Sequence, residues 1–221
     1  LHAHIRDKQG KHSLDAGMYE ELLDEMANQV PEMLVQITTE AVGQYSTQQQ
    51  MDLVTKLRPK MASVALRELV PTVASEVDAK HFFSWADEAQ VHLQIILYDA
   101  ADLQRLNQLQ VAGVLPNNSS CVLYVLGRYR ENLQAQHTDL DEFKQPKNLH
   151  TWFACAFGQQ EHACITYAID QGGHARVGFE NNLWLPSGEL VANNQTLVAQ
   201  VASYAQSQSR QVASAREARL M

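Results

Sequence analysis

Three cysteines in 221 residues, Cys121, Cys155 and Cys164, are too few and too scattered for a disulfide framework or a CxxC metal site. Each falls in an apolar stretch, where a free cysteine acts as a small buried hydrophobe, and a reducing cytoplasm fits that usage. No apolar run reaches the roughly 18 residues of a membrane span, so no membrane partner is expected. No Lys/Arg cluster stands out, and a formal net charge of -8 argues against nucleic acid as a partner. No GxGxxG follows an apolar run, which removes the usual mark of a dinucleotide site. Only 19% of residues are charged while 45% are hydrophobic, which excludes a disordered chain and supplies a substantial core.

What is present is alternation. Short runs rich in Val, Ile, Leu and aromatics recur at 1–6, 34–39, 61–66, 91–99, 120–127, 151–158 and 175–180. Several are continuously apolar, as strands buried on both faces of a parallel sheet are. Amphipathic helical patterns lie between them: "SLDAGMYEELLDEMANQV" behind a Ser13 or Asp15 cap, and "STQQQMDLVTKL" behind Ser46 and ending before Pro59. "VDAKHFFSWADEAQ", "AADLQRLNQLQ", "QQEHACITYAIDQ" and "NNQTLVAQVASYAQSQSRQVA" follow the same logic. Segment 130–149 reads as a long loop with a helix near "DLDEFK". Strand–helix alternation with short links predicts βαβ units and a parallel sheet. Seven strands, the first opening the sequence directly, predict a single-domain (β/α)8 TIM barrel over 1–221 whose first strand and helix are missing from this sequence. A doubly wound sheet is the alternative.

In such a barrel, function lies at the C-terminal ends of the strands. Those ends are polar here: "HAHIRD" on the first, Thr38, Thr39 and Glu40 on the second, Ser63 and then Arg67 and Glu68 on the third. Gln94 lies in the fourth, "GRYRE" ends the fifth, and the last reads "HARVGFENN". His2 and His4, two apart on a strand, project to one face, and paired imidazoles suit Zn2+ or another first-row divalent ion. Glu180 offers a carboxylate, and two His plus one carboxylate is a catalytic metal set. Arg176, four residues before Glu180, shares its strand face by parity and suits a substrate carboxylate; a structural ion pair is the competing role. The other histidines, His12 among them, fall where packing or solvation is the ordinary role.

The stretches "HAHIRD", "VQITTEAVGQYS", "LRPKMASVAL", "LYVLG" and "GGHARVGFENNLWLPSGELVANNQTLV" together resemble the β-keto acid cleavage enzymes, in order along essentially the whole chain. The resemblance implies a zinc-dependent TIM barrel, a homotetramer, that converts a β-keto acid and acetyl-CoA to acetoacetate and a new acyl-CoA. It implies His2, His4 and Glu180 as metal ligands, Arg176 as the carboxylate-binding arginine, and Thr38 and Ser63 as hydroxyl groups of the site. Two positions depart from the family pattern. Asn181 stands where the family has an aspartate and Gln94 where it has a glutamate, and an amide is no general base. Glu40 and Arg128 are candidates for contacting the keto-acid side chain and the CoA phosphates, with Arg130 beside Arg128. Two rival readings remain open: an amidohydrolase-like metal hydrolase, which also carries HxH on a barrel strand, and a non-catalytic barrel that binds a metal or acyl ligand.

Overall fold

Helix starts follow from single side chains. In the computed structural model, which describes residues 1–116, 121–143 and 151–218, Asp15 accepts from Met18 N at 2.8 Å and opens α1 (Ala16–Gln29). Ser46 and Gln49 cap each other's backbone at the start of α2 (Thr47–Leu57), which ends on Arg58 just before Pro59. Each cap satisfies an N–H that the helix itself cannot reach.

The chain forms two compact units, Leu1–Ile96 with Arg105–Ser120, and Leu97–Gln104 with Cys121–Met221. In the first, β1 (His2–Ala3), β4 (Gln36–Thr38), β5 (Met61–Ala65) and β6 (His92–Leu97) pair in parallel in that order. The register sets Thr38 beside Ser63, and Ser63 beside Gln94. Three buried polar side chains thus form one row across neighbouring strands. Helix α3 (Leu66–Leu69) follows β5, and α4 (Glu76–Glu88) buries Phe82 and Phe83. Helix α5 spans Ala100–Val111.

The expected first strand, 1–6, is broken in two. After β1 the chain turns away from the sheet, and β2 (Ile5–Arg6) pairs antiparallel with β3 (His12–Ser13), Arg6 opposite His12. The connecting turn is tied by Asp7, whose Oδ1 accepts from both Gln9 N and Lys11 N at 2.8 Å, with Gly10 at a left-handed φ of 77°. This hairpin returns His12 to the neighbourhood of His4.

In the second unit, β7 (Cys121–Leu126), β8 (Thr151–Ala156) and β9 (His174–Ala175) pair in parallel. Helix α6 (Glu161–Asp170) follows β8, α7 (Asn194–Ser207) follows the loop after β9, and a short α8 (Ala215–Ala218) comes last. Near "DLDEFK" there is a 3-10 turn, His137–Glu142, and residues 144–149 of the expected long loop lie outside the described residues. The expected last strand, 175–180, is mostly not a strand. Arg176 N still donates to Ala154 O at 2.9 Å, but the chain then leaves the sheet at Gly178, whose φ of 144° only glycine adopts readily. No described helix is long and apolar enough to cross a membrane.

Candidate active site

In the first unit the predicted residues lie on β1, β4, β5 and β6 and on the segments that follow β1 and β4. His2 Nδ1 lies 2.8 Å from Gln36 Oε1, and Gln36 Nε2 donates to Gln94 Oε1 at 3.3 Å. Because an amide oxygen only accepts, His2 carries its proton on Nδ1 and presents a lone pair at Nε2. That Nε2 lies 3.1 Å from His4 Nε2. Two nitrogens bound to one tetrahedral zinc at about 2.0–2.1 Å stand roughly 3.3 Å apart, so this spacing fits a shared ion. A ligating histidine with its other nitrogen held by a hydrogen bond is the usual arrangement at metal sites. The donor set here therefore fits Zn2+ or a similar ion.

Thr38, Ser63 and Gln94 are buried. Thr38 Oγ1 accepts from Glu40 N at 3.1 Å, which leaves its own proton to donate. Ser63 Oγ is buried with no hydrogen-bond partner among the described residues. A buried unpartnered hydroxyl costs stability. Glu40 is half-buried, with its Oε2 3.7 Å from His4 Nδ1. Gln36 was not singled out by sequence. It lies two residues before Thr38, and that parity was the available signal.

In the second unit Arg176, Glu180 and Asn181 sit on the loop after β9. Arg176 Nη2 donates to Glu180 Oε1 at 3.1 Å and to Cys155 Sγ at 3.6 Å. Their proximity arises from a turn rather than from strand parity, with Asn181 N donating to Gly178 O at 2.9 Å. The other donors of Arg176, Nε and Nη1, are buried and have no hydrogen-bond partner among the described residues. A guanidinium cannot shed its charge, so Arg176 keeps a buried positive charge with two idle donors. Asn181 is buried, and its Nδ2 is likewise unpartnered.

Glu161, which sequence reading passed over, holds this loop. Its carboxylate accepts from Gly178 N at 3.2 Å and from Asn182 Nδ2 at 3.1 Å. It is 2% exposed. Burial pushes its carboxyl up to about 7, although those two hydrogen bonds pull the other way. Asn194 Oδ1 adds a bond from Phe179 N at 3.0 Å. The signal for Glu161 was its place on the apolar stripe of α6, in step with buried Cys164, Ile165 and Ala168.

Arg130 pairs with Asp139 at 2.6 Å and Glu142 at 3.0 Å. Arg128 lies over the Phe157 ring, 5.4 Å from its centroid. Cys155 and Cys164 are buried as expected, while Cys121 is half-buried. Burial pushes the Cys155 thiol up to about 11, which leaves it unreactive at neutral pH.

A family model described as beta-keto acid cleavage enzyme matches residues 1–221. Among curated proteins, the chain is similar to the 3-keto-5-aminohexanoate cleavage enzyme of Fusobacterium nucleatum subsp. nucleatum. The two are 26% identical over 231 residues, covering 99% of this chain and 81% of that protein. It is also similar to the 3-oxoadipate:acetyl-CoA acetyltransferase of Cupriavidus necator, 23% identical over 237 residues, covering 100% of this chain and 79% of that protein. Among solved structures, a type I 3-dehydroquinate dehydratase from Clostridium difficile matches with a TM-score of 0.59 at 10% identity, over 87% of this chain and 77% of that one. The last likeness speaks to fold alone, an α/β fold consistent with a truncated TIM barrel.

Proposed function

Because the chain belongs to the beta-keto acid cleavage enzyme family, we propose that it exchanges acyl groups between a β-keto acid and acetyl-CoA, giving acetoacetate and a new acyl-CoA. The carrying observation is buried Arg176, whose Nε and Nη1 have no hydrogen-bond partner among the described residues. A β-keto acid brings a carboxylate, the kind of anion that a buried guanidinium with idle donors suits. The Cupriavidus relative, a 3-oxoadipate:acetyl-CoA acetyltransferase, supports acetyl-CoA as the second substrate.

The balance is closed. The α-carbon of the keto acid loses a proton and forms a C–C bond to the acetyl carbonyl carbon, and the CoA thiolate leaves. That thiolate attacks the original keto carbon, and the adjacent C–C bond breaks. The leaving carbanion is acetoacetate once it regains a proton. In this reading His2, His4 and Glu180 would hold Zn2+ or another first-row ion, which would supply Lewis-acid chemistry.

The chain's own groups bind and orient. Arg176 holds the substrate carboxylate. Ser63 Oγ and Thr38 Oγ1 donate to the oxyanions that form at the attacked carbonyls. Gln94 keeps Gln36, and through it His2, in register. Asn181 offers its idle Nδ2 as a further donor. Neither amide accepts the α-proton, so Gln94 and Asn181 position and another group is the base. Glu40 and Arg128 are proposed to face the variable part of the substrates. The working form in this reading is a homo-oligomer of single barrel domains.

The test is product identification. Protein incubated with zinc, acetyl-CoA and a panel of β-keto acids, 3-oxoadipate among them, is expected to yield acetoacetate and the matching acyl-CoA by mass spectrometry. A panel that yields no new CoA ester from metal-loaded protein would overturn the reading. It would also favour the non-catalytic alternative.

A further inference from the structure

His12 has the surroundings of a metal ligand rather than of a packing residue. It is 8% exposed, and its ring centroid lies 5.3 Å from that of His4. Its Nε2 lies 2.9 Å from the backbone oxygen of Glu40. A carbonyl oxygen only accepts, so Nε2 carries the proton and Nδ1 of the neutral ring presents a lone pair. That Nδ1 is buried and has no hydrogen-bond partner among the described residues. A ring nitrogen pinned to a backbone carbonyl, with the other nitrogen idle, is how ligating histidines are held before an ion arrives.

The idle nitrogen has company. One ligand atom from each of His4, His12 and Glu40 lies within 4.8 Å of the others. Glu40 Oε2 is on the Nδ1 side of His4, at 3.7 Å, whereas His4 Nε2 is on the His2 side, at 3.1 Å. His4 thus turns one nitrogen to each neighbour. The whole group belongs to the first unit, carried by the hairpin and by the segment after β4.

We propose that His4, His12 and Glu40 form a second site for Zn2+ or another first-row divalent ion, apart from the one assigned to His2, His4 and Glu180. Two imidazoles and a carboxylate suit such ions, and the ligand atoms are His12 Nδ1, His4 Nδ1 and a Glu40 oxygen. Filling both sites together requires the His4 ring to release its remaining N–H proton to solvent. The second ion therefore binds more weakly than the first. The inference does not depend on the acyl-exchange reading.

The experiment is zinc stoichiometry by equilibrium dialysis and elemental analysis, with affinities by calorimetry, on the wild-type chain and on His12→Ala, His12→Gln and His2→Ala. His12→Gln keeps a donor for the Glu40 carbonyl, so it reads the site even if His12→Ala unfolds. Wild type is expected to bind two equivalents, the weaker with at least tenfold lower affinity. Both His12 variants should lose the weaker equivalent and keep the tighter one, and His2→Ala should lose the tighter one. One equivalent in wild type, or two in His12→Gln, overturns the proposal. If His12→Gln is unchanged while His2→Ala loses its zinc, the metal assignment under the acyl-exchange reading stands alone.

Discussion

The two groups of site residues are held in place by different means. In the first unit Thr38, Ser63 and Gln94 form a row on three adjacent strands, fixed by the backbone ladder itself. In the second unit Arg176, Glu180 and Asn181 ride a loop that has left the sheet, fixed by side chains, chiefly Glu161 and Asn194. A residue on a ladder is placed by many shared hydrogen bonds, so changing it alters chemistry and little else. A residue on a braced loop depends on one or two side chains, so the brace becomes as sensitive as the residue.

The largest expected effect is on the loop. Arg176→Ala removes the buried charge proposed to hold the substrate carboxylate, a loss of about 3–5 kcal/mol, and kcat/KM should fall roughly 10³-fold. Steady-state assays with a β-keto acid and acetyl-CoA read this. A drop under tenfold would show that Arg176 does not hold substrate.

On the ladder, Ser63→Ala should lower kcat roughly 10²-fold, the cost of one oxyanion donor. Its melting temperature should hold or rise, because the variant deletes a buried hydroxyl that has no partner. A clear loss of stability with unchanged kcat would make Ser63 structural and blur the contrast between the two regions.

The smallest effect concerns the brace and shows in pH dependence. The Glu161 carboxyl is raised from 4.5 to about 7 by burial. Its contribution to stability is fully present below about 4.5 and is lost as pH rises through about 7, because the folded state then holds an ionised group it disfavours. Glu161→Gln removes this titration. Thermal melts from pH 5 to 8 should show wild type losing stability relative to the variant, on the order of 3 kcal/mol at most. Parallel curves across that range would mean that Glu161 does not titrate there.

Much of the ladder side was legible in the sequence, and the braced side less so. Period-two alternation and apolar runs place His2, Thr38, Ser63 and Gln94 on strands, and strand order then places three of them side by side. The break after β1 escapes such reading, because it depends on Asp7 tying a turn and on the hairpin pairing of Arg6 with His12. His12 was passed over for that reason, as its partners are set by the turn and not by spacing. Arg176 and Glu180 were paired on strand parity, and they do pair, but through the turn at Gly178. Glu161 carried a signal in the apolar stripe of α6, yet a carboxylate in the first turn of a helix is so ordinary that only its burial sets it apart.

The central claim, acyl exchange rather than hydrolysis or mere binding, is tested most directly by the fate of a label. Acetyl-CoA carrying 13C at both acetyl carbons is incubated with the zinc-loaded protein and an unlabelled β-keto acid, and the products are read by NMR. The account predicts acetoacetate labelled at its keto and methyl carbons, its carboxyl and methylene carbons unlabelled, in equal yield with an unlabelled acyl-CoA. Label recovered only as acetate, or left wholly in acetyl-CoA, would contradict it.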